Sequence, residues 1–87
     1  MAITYTWIKK SLAQDEFGEC TKAKWVLEGI DDVSGKSARH EAATVFGGVD
    51  IKDKADWTQA EIDAFAEKIR VSCNFDQEIA DQIAAQV

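Results

Sequence analysis

The chain has 87 residues, a formal net charge of −6 and 46% apolar side chains, which is the composition of one small folded domain rather than a disordered segment. An acidic chain without a basic stripe is poorly suited to direct nucleic-acid binding, which depends on displacing counterions from phosphates. No stretch has the length of a membrane span, and the N-terminal MAITYTWIKK reaches charge at Lys9 without the apolar run of a secretory signal, so a cytosolic setting is expected. In that setting Cys20 and Cys73 are expected to be reduced, partly buried thiols, and without a CxxC or Cys/His cluster they do not form a structural zinc site.

Residues 2–12, AITYTWIKKSL, alternate: Ile3, Tyr5 and Trp7 fall on one side, Thr4, Thr6 and Ile8 on the other. β-branched and aromatic residues favour a strand here. The polar stretch that follows, with Gly18, reads as a loop, with Phe17 expected to fold back onto the core. Cys20–Ile30 alternates again. Ala23, Trp25 and Leu27 form an apolar side, with Lys22, Lys24, Val26 and Glu28 opposite, the pattern of a strand with one solvated face. DDVSGKS is a turn in which Gly35 can take positive φ.

Residues 38–49 admit two readings. Ala38, Ala42 and Ala43 suit a helix capped by Ser37, whereas Thr44-Val45-Phe46 and the following glycine pair suit a strand and its end. The strand is preferred, because it completes a sheet able to receive a helix. Residues 50–56 form a charged connection.

The clearest signal is Trp57–Arg70. Thr58 and Glu61 have capping-box spacing, and Trp57 and Ile62 have that of a hydrophobic staple. Ile62, Phe65, Ala66 and Ile69 make one apolar face. A second helix is expected through Val87, capped by Asn74 or Asp76, with Phe75, Ile79, Ile83 and Val87 as a narrow apolar stripe that packs only partly on the sheet. The expected fold is α+β: a single domain, 1–87, with a three-stranded antiparallel β-meander over 2–49. One well-capped helix (57–70) packs on it, and a second, C-terminal helix covers 75–87.

Four pieces of this pattern carry a resemblance: the ITYTW first strand (Ile3–Trp7), the W-x-L strand running into Gly and Asp (Trp25–Asp31), Val45–Val49, and the helix start Asp56–Ile62. Together they resemble a group of small uncharacterised bacteriophage proteins, known from phages of marine bacteria and cyanobacteria. The resemblance implies a viral origin and a strand at 38–49; it implies no activity and no site residues, and the second helix departs from it.

Chemistry-bearing clusters are sparse. His40 and Glu41 are adjacent, so on a strand they point to opposite faces and do not converge on a substrate. Asp31, Asp32, Ser34, Asp50 and Asp53 lack the spacing of a calcium loop, and Gly47-Gly48 matches no phosphate-binding loop. The expectation is therefore a protein without catalytic residues, metal or cofactor that acts by binding another protein, with no direct nucleic-acid or membrane partner.

Charge and apolar pattern nominate the surface. Residues 50–87 carry four basic against nine acidic side chains, whereas residues 1–49 carry six against seven. A solvated helical face explains such acidity, but Asp63, Glu67, Asp76, Glu78 and Asp81 are the candidates for contacting a basic partner. Ile79, Ile83 and Val87 are the apolar candidates. Two settings follow. In one, the chain is a virion-associated or assembly component that docks through the last helix or a sheet edge, surfaces through which it could also self-associate. In the other, it is a host-directed inhibitor in the host cytoplasm, occupying a basic groove in imitation of nucleic acid.

Overall fold

The computed structural model describes residues 2–48 and 51–86. Its strands are β1 (Ile3–Gln14), β2 (Glu19–Asp31), β3 (Ser37–Val45) and the short β4 (Lys52–Asp53). They are followed by a single 3-10 turn, Lys54–Asp56, and helices α1 (Gln59–Ser72) and α2 (Phe75–Ala85). This is an α+β fold in which an antiparallel sheet of order β1-β2-β3 carries both helices on one face. The alternative helix at 38–49 does not form; β3 runs antiparallel to β2 from Ser37 opposite Ile30 to Val45 opposite Lys22. The strand stops at Val45, short of the expected 49. Val49 and Asp50 lie outside the described residues.

The period-two pattern places Trp25, Leu27 and Ala23 of the central strand inward, with Trp25 and Leu27 fully buried. One irregularity in β1 changes what faces the helices. Trp7 sits opposite Leu27 but Lys9 sits opposite Val26, so Ile8 is an extra residue in a β-bulge. The inward set therefore runs Ile3, Tyr5, Trp7, then Lys10 and Leu12. A strict alternation would have continued Trp7, Lys9, Ser11 and left Lys10 pointing away from the helices.

The charged connection hides structure that its composition does not announce. After Val45 the chain makes one more bond to β2 (Phe46 N–H to the Thr21 carbonyl, 2.9 Å). It rejoins the same edge of β2 as β4, where Lys52 pairs with Cys20 and Asp53 with Glu19. Phe46 turns inward and meets Trp57 and Phe65, with ring centroids 5.2 Å away in each case, and Phe65 stacks on Trp25 at 5.8 Å. The Trp25 indole N–H is satisfied by the Thr44 hydroxyl at 2.9 Å.

α1 begins two residues later than expected but has the expected cap. The Thr58 hydroxyl accepts from the Glu61 amide at 3.2 Å, while a Glu61 carboxylate oxygen accepts from the Thr58 amide at 3.3 Å. The junction to α2 departs from the expectation that Asn74 or Asp76 caps it. Asn74 stands at the cap position with left-handed backbone (φ 51°), and its side chain makes no cap bond. Asp76 instead lies within the first turn, and its carboxylate goes to Arg70. An asparagine tolerates this conformation better than most residues do, and that lets the chain reverse within two residues.

Two packing expectations are corrected. Phe17 is 78% exposed at the tip of the β1–β2 hairpin, because that hairpin extends past the end of β3 and leaves no core beneath its turn. Conversely, α2 packs fully on the sheet rather than partly: Phe75 and Ile79 are 0% exposed and Ile83 2%. The Cγ2 of Ile79 occupies the space above Gly29, where an added Cβ would lie 2.5 Å from it. The helix ends at Ala85, and Val87 lies outside the described residues.

Candidate interaction surfaces

Three surfaces remain after the core is assembled: the polar flank of the helices, the open face of the sheet, and its free edges. The flank holds most of the carboxylates expected to meet a basic partner, and three of the five are already engaged by side chains of another element. Asp63 accepts from the Lys10 ammonium at 2.6 Å and from the Gln59 amide at 2.9 Å. Both contacts hold its carboxyl below the usual range, the Lys10 bond contributing most. The bulge at Ile8 is what brings Lys10 to this side.

Glu67 accepts from the Trp7 indole at 3.3 Å and has Arg70 at 3.8 Å. Asp76 binds the Arg70 guanidinium through both oxygens, at 2.6 and 3.0 Å. That bond is the main reason the Arg70 pKa lies above its ordinary value. Arg70 in turn lies over the Tyr5 ring, 4.9 Å from its centroid. These residues form a polar seam that fastens α1 to β1, a role that charge pattern alone did not reveal. Glu78 and Asp81 are exposed on α2, the latter accepting from Gln77 at 2.8 Å.

Ile79 and Ile83, the expected apolar docking stripe, are core residues and offer no surface. Sequence spacing identifies such a stripe but not what it packs against.

The open face of the sheet carries Thr4, Thr6, Lys9 and Ser11 from β1, Lys22, Lys24, Val26, Glu28 and Ile30 from β2, and Arg39, Glu41, Ala43 and Val45 from β3. It holds four basic and two acidic side chains in a chain that is acidic overall. Arg39 pairs with Glu28 at 2.8 Å and Lys24 with Glu41 at 3.5 Å. The bulged Ile8 (44% exposed), Ile30 (40%) and Val45 (76%) put apolar area among these charges. Around Val26 the face dips into a shallow hollow of about 320 Å³, with Ile8, Lys9, Lys24, Arg39 and Glu41 around it. The alternation of β2 had announced this face; its apolar share comes from the bulge and from strand ends that sequence could not place.

His40 and Glu41 point to opposite faces, as their adjacency on a strand requires. His40 lies edge-on to Phe75 with centroids 4.8 Å apart, on the helix side. Cys20 is buried, which pushes its thiol above the ordinary range, whereas Cys73 is exposed at the end of α1; both are free. Among the described residues no group of three or more His, Cys, Asp or Glu side chains is placed to hold a metal ion, and no helix is long and apolar enough to cross a membrane. Comparisons with protein-family models, with curated proteins and with solved structures found no match.

Proposed function

We propose that this is a non-enzymatic bacteriophage accessory protein that binds another protein through the open face of its sheet, most simply as a virion-associated or assembly component. The observation that carries the binding reading is that face itself, where Ile8, Ile30 and Val45 stand exposed among Lys9, Lys22, Lys24 and Arg39. Apolar area interleaved with long basic side chains gives a partner both contact and orientation. The phage setting is supported by the resemblance of the ITYTW strand, the Trp25–Asp31 strand, Val45–Val49 and the helix start at Asp56–Ile62. The separation of His40 from Glu41 supports the non-enzymatic reading.

The alternative, an inhibitor that presents acid to a basic host groove, is now supported by fewer groups. Asp63, Glu67 and Asp76 are committed to Lys10, Trp7 and Arg70, which leaves Glu78 and Asp81 as its carriers. Affinity capture from infected cells, together with mass spectrometry of purified particles, separates the readings. Stoichiometric presence in particles, with capture lost in Ile8→Asp and Val45→Asp, supports the assembly role. Absence from particles, with capture of one basic host protein lost on reversing Glu78 and Asp81 to lysine, supports the inhibitor.

A further inference from the structure

The two outer edges of the sheet are unlike. β1 carries a bulge, Lys9 and Lys10 along its length, features that discourage another strand from pairing there. β3 is regular over Ser37–Val45, with no bulge in its pairing to β2. Its hydrogen bonding can be assigned residue by residue. The Lys36 carbonyl accepts from Asp31 at one end and the Phe46 amide donates to Thr21 at the other. Residues 38, 40, 42 and 44 are therefore the hydrogen-bonded partners of β2. The N–H and C=O groups of Arg39, Glu41 and Ala43 consequently point outward, and among the described residues no strand pairs with that edge. The outward carbonyl of Ser37 accepts from the Gln86 side chain at 2.6 Å, which stops the free edge at its start.

We infer that a second copy of the chain pairs with this edge, β3 to β3 antiparallel about a two-fold axis at His40. Outward-facing residues must lie opposite outward-facing residues, so only every second register is allowed. Centring the axis on Glu41 sets two glutamates face to face, and centring it on Arg39 sets two arginines face to face; like charges directly opposite are unfavourable. Centring it on Ala42 sets Glu41 opposite Ala43 and Arg39 opposite Val45 and pairs no charges, whereas centring it on His40 places Arg39 opposite Glu41 of the second copy, and Glu41 opposite its Arg39. On the helix side His40 then lies opposite its own copy, flanked by Ala38 facing Ala42, whose small side chains leave α2 of each copy room. Both charges are well exposed, with side-chain exposures of 61% for Arg39 and 63% for Glu41. With the existing pairs they complete a row of alternating sign across the seam: Lys24, Glu41, then Arg39 and Glu28 of the second copy. A contact confined to Ala38–Ala42 is smaller than the surface of a typical stable interface, so the dimer forms reversibly.

Sedimentation equilibrium at concentrations on the order of 10 µM to 1 mM tests this. The wild type should pass from monomer to dimer over that range, with association weakening as salt rises. Glu41→Arg and Arg39→Glu should each be monomeric and folded by circular dichroism, because each sets like charges across the axis. Their equimolar mixture should recover a 1:1 heterodimer. A wild type that is monomeric throughout overturns the proposal, as does a dimer that survives in both variants. Loss in each variant without recovery in the mixture overturns the register. None of these results depends on what the open face binds.

Discussion

α1 and α2 lie on the same face of one sheet and are held there by different means. α1 has a reciprocal cap at Thr58 and Glu61 and a polar seam along β1, made by Lys10 with Asp63, Trp7 with Glu67, and Tyr5 with Arg70. Only Ala66 of α1 is fully buried; Ile62, Phe65 and Ile69 are half-buried. α2 has no side-chain cap and starts from a left-handed asparagine, yet it buries Phe75, Ile79 and Ile83 over the middle of the sheet. Local signals and tertiary burial are thus divided between the helices rather than doubled on one. A helix with a good cap and paired charges can form at the margin of a core, whereas one with poor ends forms because its apolar side has somewhere to go.

The largest expected effect comes from removing what α2 contributes. Ile79→Ala should lower stability by about 4 kcal/mol, and Ile62→Ala, at a half-buried site on α1, by about 2 kcal/mol. Urea melts with unchanged slope would measure both. Equal losses, or a larger one at Ile62, would break the comparison.

Gly29→Ala sharpens it. The added methyl enters the space held by Ile79 Cγ2 and lies 2.9 Å from Ile3 Cγ2, and overpacking of this kind costs about 2 kcal/mol. Because Ile79→Ala removes that Cγ2, the double variant should be more stable than the sum of the single losses allows. Strict additivity would mean that α2 does not sit on Gly29.

At the helix ends the order reverses. Thr58→Ala should cost about 1 kcal/mol, since it leaves the Glu61 amide without its partner. Asn74→Gly should be close to neutral, because Asn74 supplies a backbone conformation and no cap bond. A loss at Asn74→Gly matching that at Thr58→Ala would show that α2 depends on its end as α1 does.

The same division explains what could be read from the chain. α1 was legible because its cap, staple spacing and charge placement are local, all within Asp56–Arg70. The alternation of β2 and the preference for strand in β3 were legible for the same reason: each rests on neighbouring residues. β4 was not, since two residues with charged side chains become a strand only when the edge of β2 is already there to pair with. Nor was the fate of the acidic candidates. Whether Asp63 faces a partner or Lys10 depends on a one-residue bulge at Ile8, and a bulge leaves no mark in a run such as Trp-Ile-Lys-Lys. Ile79 and Ile83 were found as a stripe, but spacing cannot say whether a stripe meets its own sheet or another molecule.

The smallest expected effect is in the response to acid, and it too separates the helices. Glu61 and Asp63, both on α1, have carboxyl pKa values below the ordinary range in the folded chain. For Glu61 the main cause is the Lys52 ammonium and then the Thr58 amide; for Asp63 it is Lys10 and then Gln59. Asp31 is lowered likewise by the Val33 amide and the Ser34 hydroxyl in the β2–β3 turn. The unfolded chain therefore binds protons at these sites more readily than the folded one does. Their contribution is complete above the unfolded carboxylate values of about 4 and is lost as pH falls through the lower, folded values. Phe75, Ile79 and Ile83 themselves carry no titrating group. Stability measured by urea at successive pH values should therefore fall on the acid side, with a shallower slope in Glu61→Gln and Asp63→Asn. Ile79→Val should displace the whole profile downward and leave its slope unchanged. If the two carboxamide variants kept the full acid slope, the Lys52–Glu61 and Lys10–Asp63 contacts would hold no part of the fold, and the acid response would not separate the helices.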